Sequence, residues 1–544
     1  MSGLIRFLAG RHRAIALILA LAVGAAGLVW GARNGGGSDS FGYVSQADLW
    51  LRGQLQTHQE FVAEYPWPAA RHSFAPLGYR AAAGYTIVPV YPPGLPLLMA
   101  GAKTVAGQCA VFLVVPVAGA ILVLATYGIG RRIDRPVVGL VAAWIIATSP
   151  AVVYMTLWPM SDVPAAALWA LATMWLLGSS RTSRLLAGLA AATAILVRPN
   201  LAPLAGVLAA WCWWRDRAES GSAWIGTRRA LWFVAIASLG AAFVAAFNDR
   251  LYGSPFSSGY GELTSAFSPE YVLANLQRYL SWLVTTQTPV AVAGLVAVVA
   301  PAGFWRTARA ARARWLFAGS ALVVWLSYLV YLPFDAWWYL RFLLPAWPAM
   351  ALGVGALAAA IFHARAPWAR WAAILLVAAV GGYGIAYAAQ SGLETIRAGE
   401  AKFVEVARVV RSATPPDAVI FSDLHSGTLR YYGGRITVRW KAMDTEWIDP
   451  AVTWLIDHGH HPYFLVEMSE MPYLIAKYGP QNEVARLDWA PIATFRGGSV
   501  RLYDAANRQF RGPTTESHDP EEHAGCPRPM SLPPEFLPGR RSGQ

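Results

Sequence analysis

Apolar stretches of roughly 18–20 residues recur along this chain, each long enough to cross a hydrocarbon layer as a helix. One runs over about residues 14–31, and others fall near 229–247, 283–303, 315–332, 343–362 and 371–390. Composition agrees with a bilayer rather than a set of water-soluble cores. Of the 544 residues 56% are hydrophobic and 14% charged, against about 25% charged in soluble domains. The expectation is a polytopic α-helical membrane protein.

The formal charge of +13 would suit a nucleic-acid partner if the cations lay together on one folded face. They lie instead in short gaps between apolar stretches: Arg131, Arg132 and Arg135; Arg215 and Arg217; Arg306, Arg309, Arg312 and Arg314. Such gaps mark cytoplasmic loops, so the basic excess is a topology signal. The map that follows has about 11 spans, a cytoplasmic N-terminus and an extracytoplasmic C-terminal part. The N-terminal run has a basic lead like a signal peptide but no small-x-small cleavage site, and reads as an uncleaved first span.

Residues 1–390 form the membrane domain on this map, with an unusually long first outer loop at 32–107. Loops of that length tend to be functional. The stretch 185–214 has arginines on both sides and "RPN" in its middle, where Pro199 breaks a helix; two short helices meeting near the outer surface are expected. Over 391–505 the strand patterns "DAVIFSD", "PYFLVEM" and "SVRLYD" alternate with helical ones, which predicts a small extracytoplasmic α/β domain. The tail, 506–544, is Pro-rich and polar and is expected to be disordered. Cys109, Cys212 and Cys526 offer no disulfide framework.

Ionisable residues at membrane depth are costly and point to function. Asp39 and Asp162 fall at outer ends of spans, Asp162 also suiting a helix N-cap region; Asp48 reads as a helix-surface charge. Arg198 and Arg341 lie among apolar residues, Arg341 beside Trp337, Trp338 and Tyr339. A planar, permanently charged guanidinium suits phosphate oxygens; snorkelling to the interface is the structural alternative for Arg341. "YGSPFSSGYGE", with Tyr260, offers polar recognition. His58, His72, Glu60 and Glu64 match no zinc spacing and read as solvated. No G-x-S-x-G, P-loop or H-E-x-x-H motif is present.

Five of these stretches, in order, resemble the C-type (GT-C) fold of integral-membrane glycosyltransferases, and within it the bacterial family-39-like relatives of protein mannosyltransferases and aminoarabinose transferases. "SDSFGYVSQADLWLRGQL" resembles the first-loop element, which implies Asp39 as the catalytic carboxylate with Tyr43 nearby. "YPPGLPLL", opening on Tyr91, resembles the Pro-Pro element closing that loop. "WPMSDVPAAALW" resembles the second-loop acid and implies Asp162 as a further catalytic residue. "LVRPN" and "WWYLRFLLPAWP" resemble the arginine elements and put Arg198, Tyr339 and Arg341 at the substrate. Some relatives carry two adjacent acids where this chain has Asp39 followed by Ser40, which argues against protein O-mannosylation and against a metal site that needs paired acids; the family has metal-dependent and metal-independent members, so a divalent metal stays open.

The resemblance implies a polyprenyl-phosphate sugar donor and an envelope lipid, glycan or protein acceptor at the outer face of the inner (plasma) membrane. It also implies transfer by a single inverting displacement, with Asp39 as base. The alternative from another class is a transporter or flippase of lipid-linked saccharides, against which stands the absence of a visible internal repeat.

Overall fold

The computed structural model describes residues 2–261, 266–301, 305, 307–509, 514–517 and 525–530. Glu262, Arg306 and the rest of the 506–544 tail lie outside the described residues.

Helix α1 (Ser2–Trp30) carries the first apolar run, and α2 (Asp39–Leu51) opens the long loop. The loop then makes β1 (Thr57–His58), a single turn α3 (Ala70–Ser73), β2 (Tyr79–Ala82) and β3 (Thr86–Pro89). Its strands form an antiparallel sheet in the order β1-β3-β2, and α4 (Gly94–Ala106) closes it.

Among the described residues twelve helices make up the rest of the bundle: α5 (Val114–Ile133), α6 (Pro136–Ala147), α7 (Pro150–Thr156), α8 (Asp162–Leu176), α9 (Arg181–Val197), α10 (Pro203–Ser220), α11 (Ala223–Tyr252), α12 (Tyr271–Gln287), α13 (Pro289–Val299), α14 (Ala308–Leu329), α15 (Trp347–Phe362) and α16 (Ala369–Gln390). Proline starts many of them because its missing N–H is one that the first helical turn leaves unbonded anyway; Pro136, Pro150, Pro203 and Pro289 all sit there. Among the described residues five helical stretches are long and apolar enough to cross a membrane. Two more pairs, α6 with α7 and α12 with α13, pass only as units bent by 60° and 112°. The shorter or more charged α8, α9, α10 and α14 complete the bundle. The 185–214 stretch forms two helices, α9 and α10, broken at Arg198 and joined by the 3-10 turn Pro199–Leu201. Large apolar side chains such as Trp232, Leu239 and Leu375 are exposed on the outer helices, the pattern that lipid rather than water accommodates.

Beyond α16 come α17 (Ile396–Ala413), β4 (Ala418–Phe421), α18 (Ser426–Gly433), β5 (Ile436–Val438), α19 (Ile448–Asp457), β6 (His461–Glu467), α20 (Met471–Tyr478), β7 (Ala493–Phe495), β8 (Val500–Asp504) and β9 (Thr515–Ser517). They build one six-stranded sheet in the order β5-β4-β6-β8-β7-β9, with β5, β4 and β6 parallel. The three strand patterns legible in the sequence are β4, β6 and β8. β5 and β7, at three residues each, are too short to show an alternation.

This domain does not end at its sequence boundary. Tyr65, Trp67 and Phe74 of the first loop share one buried core with Val419, Phe421, Trp440 and Leu455. Two expectations about the C-terminal segment fail as well. Part of the tail adds strand β9 beside β7, and Cys526 is disulfide-bonded to Cys109, 417 residues away. No spacing rule could propose that pair, because the fold alone brings the two cysteines together; Cys212 stays free and buried. Peptide mapping without reductant should recover a linked Cys109–Cys526 peptide, and Cys109→Ser should lower the melting temperature of the detergent-solubilised protein.

Candidate active site at one end of the bundle

The charged residues of the bundle segregate to its two ends. At one end Asp216 is fully buried and paired with Arg184, Arg215 and Arg229. Arg215 also reaches the carbonyl of Leu176, at the C-terminus of α8. Asp162 begins that same helix, so the second cluster lies a helix length away.

At this second end Asp162 is 2% exposed and accepts a 2.6 Å bond from Arg198 Nη2. Arg198 stands where α9 breaks: its φ and ψ of −142° and 88° leave the helix before Pro199. The break turns the side chain across the bundle, and its donors are well used. Nε bonds Ser161 Oγ at 3.2 Å and Nη1 bonds Tyr328 OH at 2.9 Å. Tyr43, on α2, donates to the same Ser161 Oγ at 3.0 Å.

Arg341 comes from the 3-10 stretch Trp337–Ala346 that leads into α15. Its Nε lies 3.9 Å from Asp162 and its Nη2 3.3 Å from Asp39 Oδ2. Its guanidinium is under-used: Nε has no hydrogen-bond partner, and Nη1 faces the weakly accepting thioether of Met160. The Phe342 ring lies within 5.5 Å of the Arg198 guanidinium and 5.2 Å of the Arg341 one. Arg341 also lies 5.1 Å over Tyr339. Two like charges can be held so close because a buried carboxylate lies between them and a π face attracts both.

Asp39 is the open member, its side chain 34% exposed. It starts α2, where the helix dipole favours a carboxylate. Tyr91 donates to its Oδ1 at 2.7 Å and also bonds Ser38 Oγ at 2.8 Å. The Tyr91 ring lies across α2 at Gly42, where any side chain would collide with it. Tyr91 packs on Tyr43 at 4.6 Å and edge-on to Tyr260 at 6.0 Å.

Asp39, Tyr43, Tyr91, Asp162, Arg198, Tyr260, Tyr339 and Arg341 therefore form one connected network. The geometry distinguishes the two carboxylates: Asp162 is enclosed and ion-paired, whereas Asp39 opens to solvent. Tyr328 carried no sequence signal, since Tyr is common at span ends, and Ser161 signalled only a helix N-cap, a role its side chain does not take.

Asp48 departs from expectation. It is buried, bonded to Lys103 Nζ at 2.5 Å and to Tyr431 OH at 2.6 Å, because α4 and α18 cover the face of α2 that carries it. His58, His72, Glu60 and Glu64 are exposed. Among the described residues no three His, Cys, Asp or Glu side chains come together as metal ligands. Asp39 and Asp162 each face a guanidinium, which fills the place a cation would take, so the residues present do not fit a metal set.

Neither a family model nor a curated protein matches the sequence. Solved structures do match in shape. ArnT from Cupriavidus metallidurans bound to undecaprenyl phosphate aligns with a TM-score of 0.57 and 13% identity, over 92% of this chain and 99% of that one. The Archaeoglobus fulgidus oligosaccharyltransferase tethered to an acceptor peptide aligns at 0.57 and 11%, over 92% and 74%. The mycobacterial arabinofuranosyltransferase AftD aligns at 0.51 and 15%, over 92% and 40%. The chain has the GT-C fold. Its site lies at the end of that fold where the first loop and the C-terminal domain meet.

The loop before Asp39 is gripped by that domain. Asn34 Nδ2 donates to the Glu400 carbonyl at 2.7 Å, and Gly36 lies against Phe403 and the Glu400 carboxyl, with no room for a side chain. Glu400 is 6% exposed. Burial raises its pKa from 4.5 to about 7, against the opposing pull of Lys402 and the Gly36 N–H.

Two outcomes follow. Arg198→Ala removes the 2.6 Å partner of the enclosed Asp162, leaves it only the 3.9 Å approach of Arg341 and should cost about 3 kcal/mol, read as loss of folded protein, whereas Arg341→Ala should stay folded. Glu400→Gln should raise thermal stability by an amount that depends on pH. Below about 4.5 the glutamate is protonated folded and unfolded, so the variant gains nothing there. As pH rises from 4.5 through 7 the folded state must give up a proton that the unfolded chain releases more easily, and wild-type stability falls. The advantage of the variant should therefore level off above pH 7, at about 3 kcal/mol, measured by melting across pH 4.5–8.5.

Proposed function

We propose that this protein is a membrane glycosyltransferase. It moves a sugar from a polyprenyl-phosphate donor to an acceptor hydroxyl, with inversion at the anomeric carbon. The observation that carries the reading is the juxtaposition of an open carboxylate, Asp39, with a guanidinium, Arg341, that is shared between Asp39 and Asp162 and whose Nη1 meets only a thioether. ArnT with undecaprenyl phosphate and the archaeal oligosaccharyltransferase with a dolichol-phosphate are GT-C proteins bound to such lipids, which supports the donor class.

In the proposed reaction the acceptor oxygen attacks the anomeric carbon while Asp39 Oδ2 takes its proton. The bond from that carbon to the phosphate oxygen breaks, and the lipid phosphate leaves with the electron pair. Arg341 meets the charge that develops on the phosphate, where exclusion of water strengthens the attraction. Tyr91 fixes the carboxylate through Oδ1, while Oδ2, which carries the longer 3.3 Å contact to Arg341, is the oxygen that takes the proton as Arg341 turns to the phosphate. Asp162 and Arg198 hold this frame as positioning residues rather than as catalytic ones. Tyr260, Tyr339 and Tyr43 line the approach. No enzyme nucleophile is required.

The eleven-pass topology, with the N-terminus inside and the site and α/β domain outside, belongs to this reading. Two observations support it. The arginine-rich gaps gather at the end of the bundle away from the site, as cytoplasmic loops do. A disulfide also joins Cys109 to Cys526 on the side of the site, and disulfides persist in oxidising compartments.

Asp39→Asn keeps the shape of the side chain and removes the base. In membranes given a radiolabelled polyprenyl-phosphate sugar it should insert normally and lose about 10²–10⁴-fold in turnover. Near-normal turnover would remove Asp39 from the chemistry. Movement of label across proteoliposomes with no new glycosidic bond would replace the transferase by a flippase.

A further inference from the structure

The parallel strands β5, β4 and β6 are arranged so that β4 passes first to one neighbour and later to the other. Open α/β sheets bind their ligands in the crevice beyond the carboxyl ends of such strands. Here the segment leading to Asp39 occupies that edge. A Cβ placed on Gly37 would come within 4.0 Å of Leu424, three residues past the end of β4, and of Phe403 of α17. The adjacent helix α18 then grips α2 and its approach at three points. The Gly35 N–H donates to Tyr432 OH at 2.9 Å, in a buried bond. Gly427 sits against the ring of Phe41, where a side chain would not fit. Tyr431 OH donates to Asp48 Oδ2 at 2.6 Å, near the other end of α2. The tail returns over the same point, with the Met530 N–H on the Tyr431 carbonyl at 2.7 Å and Cys526 bonded to Cys109.

We infer that Tyr431 and Tyr432 are positioning residues of the transfer reaction: they bracket α2 from both sides of Asp39, and the α/β domain uses its crevice edge to set the catalytic carboxylate. The inference rests on Asp39 being the base. Among the described residues the Asp39 side chain is held by Tyr91 of the first loop and by the 3.3 Å approach of Arg341. A carboxylate so loosely held needs its helix fixed from elsewhere, since small displacements of a reacting group are expensive.

The test uses the full-length protein in detergent or nanodiscs, with Tyr432→Phe and Tyr431→Phe made singly and each also combined with Asp39→Asn. Tyr432→Phe should lower kcat about five- to tenfold, the worth of one neutral hydrogen bond, and Tyr431→Phe, which removes a bond to a carboxylate, at least as much, while the donor KM stays within about twofold. In the Asp39→Asn background neither should lower the residual rate further. Amide exchange in residues 34–42 should rise for Tyr432→Phe while α5 and α8 keep their protection. An unchanged kcat, a loss that persists in full beside Asp39→Asn, or unchanged exchange over 34–42 each overturns the inference. If the wild type transfers no sugar, the proposed function fails first, and the exchange measurement still decides whether α18 holds the loop.

Discussion

A carboxylate closed inside the end of a helix bundle is the constraint on which the site depends. Asp162 is almost without exposure, and an unpaired charge there would cost several kcal/mol. Arg198 answers it at 2.6 Å, and the break before Pro199 aims that side chain. Once the pair exists, Ser161, Tyr328 and Tyr43 are ordered by it, and α2, α8, α9 and α14 meet at one point. Arg341 then shares the same counter-charge with fewer partners of its own. Arg198 places its donors on Asp162, Ser161 and Tyr328, whereas Arg341 is divided between Asp162, Asp39 and a thioether.

The second organising feature is the merger of the first loop with the C-terminal domain. Aromatic residues of the loop complete the core under β4, while the segment before Asp39 lies along the crevice edge of the sheet. Loop and domain therefore act as one body over the end of the bundle. A 13-residue helix such as α2 has little stability by itself in water, so its direction comes from what covers it. Tyr91 and Arg341 hold its first residue, and α18 holds its approach and its far end.

Much of this was legible in the sequence. Asp39, Asp162, Arg198 and Arg341 stood out because charge among apolar residues needs a reason, and all four lie in one network. Tyr91 and Tyr43 were reached through their motifs. The sequence could not rank the two acids, because Asp39 and Asp162 sit in similar contexts and differ only in what covers them. Asp48 was misread for the same reason: its partners come from α4 and from Tyr431, 383 residues away.

By itself the sequence determined the class of molecule and the residues worth attention. Apolar run length, arginine-rich gaps and proline breaks are local properties, written within about twenty consecutive residues. Only the tertiary structure decided which carboxylate stays open, which arginine is shared between the two carboxylates, that Cys109 meets Cys526, and that the α/β domain closes on the loop before Asp39. Each of those depends on surfaces contributed by segments hundreds of residues apart, and burial is a property of the pair rather than of either segment.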